Sequence, residues 1–194
     1  MSRERILGLF SLLGGLLGIL LVTAFSMTGF GYPATAAYRV YEMLNRFTAL
    51  PLLLMACGWL GLALMLPSGY GRKAARVTFA ASFVMTFGTA AEFWLFSDQP
   101  YGVWTNGRMA SFMAFFIASL ILYVGATVIG LYMWRAGTGL RAGAVVLMIA
   151  IPLYIVAMIT VGSNFIVPAL LALVSGWLLL DLSTRNQVSA GMRT

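Results

Sequence analysis

Apolar residues in this chain fall into long unbroken runs, with the polar positions gathered between them. Ile6–Thr28, Leu44–Leu66, Ala74–Ser97 and Met109–Trp134 are leucine-, alanine- and glycine-rich stretches. A hydrocarbon layer about 30 Å thick needs roughly 20 apolar residues per helix, so each run predicts one membrane span. The last run, Ala142–Leu182, is too long for one crossing: as a single helix it would extend about 60 Å. It contains Gly162-Ser163-Asn164, a turn signal, which divides it into Ala142–Val161 and Phe165–Leu182. Transmembrane β-strands alternate apolar and polar residues in short segments, and these runs do not. The expected fold is therefore all-α: a polytopic membrane protein, with six transmembrane helices in one bundle forming a single domain over 1–194.

The connections carry structure of their own. In 29–47, Ala37, Val40, Leu44 and Phe47 share one helical face, and Tyr38, Tyr41, Glu42 and Asn45 another. A short amphipathic helix is expected over 34–46, lying in the membrane interface or extending span two outward. The connection 97–109 contains Pro100, Gly102 and Asn106-Gly107 and must turn at least once. Pro152 falls mid-span and is expected to kink span five, freeing the carbonyl of Met148. Pro51 and Pro168 lie in first turns, where a missing N–H costs little. The start MSRERILGLF resembles a secretory signal, but its apolar stretch is too long, so it is read as a retained first span.

Composition supports lipid as the main solvent. The chain is 61% hydrophobic and 9% charged, with a mean hydropathy of +0.95; a soluble domain carries about 25% charged residues. With the N-terminus inside, six spans place Arg3, Arg5, Arg72, Lys73, Arg76, Arg135, Arg141, Arg185 and Arg193 on the inner side. Arg39, Arg46 and Arg108 fall outside. The inner acids are Glu4 and Asp181, so the whole net charge of +7 lies inside, while Glu42, Glu92 and Asp98 balance the outer arginines. This bias predicts cytoplasmic N- and C-termini in a cell inner (plasma) membrane. It accounts for the basic residues without nucleic acid, which is not an expected partner. Tyr32, Trp94, Tyr101 and Trp104 would mark the outer interface, and Tyr70 and Trp134 the inner one.

Absences narrow the chemistry. Without histidine there is no histidine-ligated haem or zinc and no Ser-His or Cys-His pair. The single Cys57 cannot form an internal disulfide. The only lysine, Lys73, lies in a loop, which disfavours a Schiff-base photoreceptor. No catalytic, cofactor-binding or metal-binding residues are assigned, no cofactor is expected, and the chain is not read as an enzyme. The stretch AEFWLFSDQPYG (91–102), with the span layout, resembles uncharacterised bacterial six-span membrane proteins. That resemblance implies no activity.

Three polar or small-residue patterns remain. In span three, Ala81, Met85, Gly88 and Glu92 form one stripe, which puts Glu92 about 7–8 Å from the outer end of its helix. With Arg39, Glu42, Arg46, Asp98 and Arg108 it makes a candidate outward polar cluster, read either as a Glu92–arginine clasp or as a ligand site. Thr78, Ser82, Thr86 and Thr89 form a hydroxyl stripe beside it, and Ser119, Tyr123 and Thr127 another on span four. These compose a candidate hydroxyl seam, in which each Ser or Thr can instead bond the carbonyl four residues back. In span one, Gly8, Ser11, Gly15 and Gly18 form a small-residue stripe suited to close helix packing. Spans two and six also echo each other, FTALPLLLMACGWL against FIVPALLALVSGWL, which a Leu/Gly/Ala-rich chain can produce by chance.

These features favour a structural or accessory membrane protein acting through helix–helix contacts. Its expected partners are the lipid bilayer and other membrane-protein subunits. The alternative is a small transporter or channel with an outward-facing polar site around Glu92. A lipid-modifying enzyme ranks third, because it would need several acids, histidines or a reactive cysteine on one face.

Overall fold

The computed structural model describes residues 2–28, 36–137, 141–160 and 165–191. Within the described residues, eight α-helices run in order: α1 Arg3–Thr28, α2 Ala36–Phe47, α3 Ala49–Met65, α4 Tyr70–Ala90, α5 Gly107–Ala136, α6 Arg141–Met148, α7 Ala150–Thr160 and α8 Ile166–Gly191. A π-helical turn, Ala91–Leu95, extends α4. Among the described residues there is no β-strand. Five helical stretches are long and apolar enough to cross a membrane: Arg3–Met27, Tyr38–Met65, Tyr70–Leu95, Gly107–Ala136 and Ile166–Arg185. The pair α6–α7, bent by 61°, makes a sixth when counted as one span. The expected turn at 162–164, Tyr32, Arg193 and the start of the 34–46 helix lie outside the described residues.

Two prolines explain the two breaks. Pro51 has no N–H for the carbonyl of Phe47, and the chain tightens just before it. Thr48 there donates both its N–H (3.1 Å) and its Oγ1 (2.6 Å) to the carbonyl of Asn45. This separates amphipathic α2 from apolar α3 within one helical stretch, Tyr38–Met65, so α2 extends span two. Pro152 likewise has no N–H for Met148, and the helix breaks at Ile149.

The bundle is held at backbone-to-backbone distances. A methyl group added at Gly14 would sit 2.9 Å from the carbonyl of Pro51 on α3; one at Gly15 would sit 2.8 Å from the carbonyl of Ala169 on α8. Adjacent glycines therefore let α1 lie directly between α3 and α8, where dispersion replaces the hydrophobic effect as the driving force. The small-residue stripe faces α8: Gly8 meets Gly176, Gly18 meets Ala169, and Ser11 Oγ donates to the carbonyl of Ala172 at 2.8 Å. Ser11 also bonds Ser175 at 3.0 Å, beside Gly58 of α3. The echoing segments share this feature, since Gly58 and Gly176 both face α1. Their tryptophans differ: Trp59 is fully buried and Trp177 is 48% exposed.

On the other side, α4 packs on α5 and α5 on α6. A methyl at Gly130 would sit 2.6 Å from the carbonyl of Ala144. Leu62, Met85, Leu122, Ile129 and Leu147 fill the centre. At Gly88 a methyl would lie 2.9 Å from the carbonyl of Ser111, so α4 and α5 close tightly one turn below Glu92.

Candidate functional site

One end of the bundle is organised around Arg108, the second residue of α5. Asn106 caps this helix: its Oδ1 accepts from the N–H of Met109 at 2.9 Å, while its Nδ2 donates to the carbonyl of Pro100 at 2.7 Å. The cap thus ties the helix start to the preceding loop. Phe96 lies against Gly107, where a methyl would come within 2.6 Å of the ring. Gln99 Oε1 accepts from the Arg108 N–H at 3.2 Å.

The Arg108 side chain is only 4% exposed. Its Nη2 donates to Glu42 Oε1 of α2 at 2.5 Å. Its Nη1 donates to the carbonyls of Ser97 (2.8 Å) and Gln99 (3.1 Å). The guanidinium also lies 4.0 Å from the Tyr101 ring centroid and 5.9 Å from that of Phe93. A buried guanidinium is tolerated when its donors and its charge are both met, and here one carboxylate, two carbonyls and two rings meet them. Nε alone has no hydrogen-bond partner among the described residues.

Glu92 sits in the π-helical turn, where the Phe96 N–H reaches the carbonyl of Ala91 five residues back, at 2.9 Å. Its side chain is buried, and its Oε1 accepts from the Tyr101 hydroxyl at 2.5 Å. Burial and this bond to the carboxylate both hold the Tyr101 phenol well above its ordinary pKa, so it remains a donor at neutral pH. The expected Glu92–arginine clasp is therefore corrected. Among the described residues Glu92 makes no ion pair, because Arg108 is turned toward Glu42 and Tyr101 stands between the two. Tyr101 is 43% exposed, and its ring and hydroxyl link the cation to the second carboxylate.

Of the six candidate cluster residues, Glu42, Glu92 and Arg108 come together. Arg46 lies beside them, its guanidinium 5.7 Å from the Trp94 ring centroid and its carbonyl accepting from Trp94 Nε1 at 3.1 Å. Arg39 and Asp98 are exposed and form no ion pair among the described residues.

The α4 half of the expected hydroxyl seam lies where α4 meets α5, since Thr78 packs directly on Gly125, whereas Tyr123 of the α5 half stacks on Tyr154 of α7. The seam's hydroxyls, however, turn back on their own helices. Thr78 donates to Ala74 (2.8 Å), Ser82 to Thr78 (2.9 Å), Thr86 to Ser82 (2.9 Å) and Ser119 to Phe116 (2.7 Å). Thr89 is buried, Tyr123 stacks on Tyr154 at 4.5 Å, and Thr127 Oγ1 is buried without a hydrogen-bond partner among the described residues. Thr78 packed against Gly125 closes the α4–α5 interface at that level. Beside it, an open apolar groove of about 460 Å³ runs along Val84, Phe87, Gly88, Ala91 and Ala114.

Among the described residues no three metal-ligating side chains come together. No protein-family model, no curated protein and no solved structure matches this chain.

Proposed function

We propose that the protein is a structural or accessory membrane protein that acts through helix–helix contacts. In this reading six spans cross a cell inner (plasma) membrane, and both termini are cytoplasmic, as the charge bias favours. The observation that carries the reading is on α1. Its inner stripe of glycines is fully occupied by α3 and α8, while Leu9, Leu13, Leu16 and Leu20 stand 44–65% exposed on the opposite side. Their spacing of four, three and four is the repeat by which one helix seats knobs in another. The occupant this face suits is a transmembrane helix of another membrane protein. A photoreactive amino acid at Leu16, activated in intact membranes, is expected to give one discrete protein adduct. Adducts to lipid alone would overturn the assignment.

A second reading, a small transporter or channel with an outward site at Glu92, has one observation in its favour. The cluster holds two carboxylates, Glu92 buried and Glu42 half-buried, and one buried guanidinium, and Arg108 is paired with Glu42. Glu92 is left with a phenol as its partner, so a cation or proton entering there would complete the charge balance. This reading requires water to reach the site from outside. In a Cys57→Ala background, a cysteine replacing Thr89 is expected to resist a membrane-impermeant maleimide. Rapid labelling from outside would favour the transporter.

A further inference from the structure

The end of the bundle opposite Arg108 carries a different electrostatic pattern. Lys73 and Arg76 lie in the first two turns of α4, Arg135 in the last turn of α5 and Arg141 at the first position of α6, and all four are exposed. The three helix ends are neighbours: Gly71 of α4 packs on the Tyr132 ring of α5, whose edge-on partner is Tyr70 at 5.0 Å. Arg141 reaches back over Trp134, 5.9 Å from its ring centroid. No acidic residue occurs anywhere from Gln99 to Leu180 or from Asn45 to Ala91. Among the described residues none of these four cations has an ion pair.

Two of the helices start against their own dipole. A helix N-terminus carries a partial positive charge and free N–H groups, and cations there are unfavourable by about 0.3–1 kcal/mol each. Placing Lys73 at the start of α4 and Arg141 at the start of α6 therefore adds like charge to like. An anion from outside the chain reverses that sign. It neutralises the side chains and meets the N–H groups together. Trp134, 48% exposed beside Arg135 and under Arg141, has the amphipathic ring that settles at headgroup depth.

We propose that the α4–α5–α6 corner is a binding surface for anionic phospholipid headgroups, with Lys73, Arg76, Arg135 and Arg141 as the phosphate-facing cations. Setting topology needs only the positive charge itself; a headgroup surface also discriminates between lipids. The inference rests on the membrane reading of the helices and is independent of any partner on α1.

The test uses the full chain, purified and delipidated in a neutral detergent, with thermal unfolding followed as lipid is added back. Phosphatidylglycerol is expected to raise Tm by several degrees more than phosphatidylcholine with the same acyl chains. The fourfold variant Lys73→Gln/Arg76→Gln/Arg135→Gln/Arg141→Gln is expected to lose that excess, and Arg39→Gln at the other end to keep it. Equal shifts with both lipids, or an excess that survives in the fourfold variant, would overturn the proposal. So would inorganic phosphate reproducing the phosphatidylglycerol effect, since the site would then take a free anion. Should the fourfold variant fail to insert, Arg135→Gln/Arg141→Gln decides: loss of part of the excess supports the surface, and full retention removes it.

Discussion

The guanidinium of Arg108 lies 4.0 Å from the ring centroid of Tyr101, whose hydroxyl donates to Glu92. One cation is thereby coupled to two carboxylates, to Glu42 by an ion pair and to Glu92 through a phenol. Arg108 also holds the carbonyls of Ser97 and Gln99, so α2, the π-helical turn, the 97–106 loop and α5 all depend on it. Removing one partner of a fully buried pair costs about 3–5 kcal/mol, because the other charge is left behind; Glu42 is 21% exposed, so the loss here falls toward or below the low end of that range. Arg108→Gln is therefore expected to lower the unfolding temperature markedly in mild detergent. Arg108→Lys should rescue little, since an ammonium cannot fork to three acceptors and stack as well. Full stability in the lysine variant would show that charge alone suffices. In Glu42→Gln/Arg108→Gln the loss should be smaller than the sum of the two single losses.

The link between Tyr101 and Glu92 separates hydrogen bonding from charge. Tyr101→Phe keeps the ring under Arg108 and removes one bond to a carboxylate, worth about 1.5–3 kcal/mol. Tyr101→Leu removes the stacking too and should be the worse of the pair. Glu92→Gln retains an acceptor for the phenol while discarding a buried charge that has no ion pair, so its unfolding temperature should stay close to wild type. A large fall in Glu92→Gln, matching Arg108→Gln, would instead mean that Glu92 is held by an arginine after all.

A feature is legible in the sequence to the extent that it depends on residue type and spacing alone. The spans depend on run length, and the apolar runs mark them. The break near Pro152 depends on a missing N–H, which the residue type declares. The packing of Gly15 and Gly18 on α8 agrees with the stripe, but that Gly14 serves α3 at the same level requires knowing that α1 lies between two helices. The rim is legible only as an inventory. Which of three arginines meets which of three acids depends on helix rotation and on the course of 97–106, and neither is encoded in spacing. The π-helical turn leaves no signal at all. It changes the winding only from Ala91 on, and Ala81, Met85, Gly88 and Glu92 are all buried, so the stripe projected along a regular helix carries through to Glu92 but predicts nothing beyond it.

Close glycine contacts predict a graded series. At Gly130 a methyl would meet the Ala144 carbonyl at 2.6 Å and the Met148 N–H nitrogen at 2.7 Å; at Gly14 it would meet backbone of Pro51 and Met55 at 2.9 Å. Backbone cannot step aside as a side chain can, so the helices must separate, at about 1–3 kcal/mol for overpacking. Gly130→Ala and Gly14→Ala should both lower the unfolding temperature, and Gly130→Ala by more. Thr127→Val tests buried polarity on α5 rather than close approach. Its hydroxyl is buried without a partner among the described residues, so replacing it with a methyl should leave stability unchanged or raise it. A clear loss would reveal a buried water or an unrecognised acceptor at that position.

The bend between α6 and α7 gives a prediction about shape. Pro152 removes one helix hydrogen bond and its ring opposes the carbonyl four residues back, which costs a straight helix about 3 kcal/mol or more. The chain turns by 61° instead, and α7 leaves the bundle with Ile155, Val156 and Ile159 exposed. In Pro152→Ala the straight form regains its bond and loses the clash, so α6 and α7 should run on as one helix. Spin labels at Val145 and Ile159, both exposed, would read this directly. A straight helix separates these positions by about 21 Å along its axis, and the bent form by less. The mean distance should therefore lengthen in Pro152→Ala, and the distribution should narrow. An unchanged distance would mean that packing of Tyr154 on Tyr123, 4.5 Å apart, holds the bend without help from the proline. Adding Tyr154→Ala to Pro152→Ala would then be the change that straightens it.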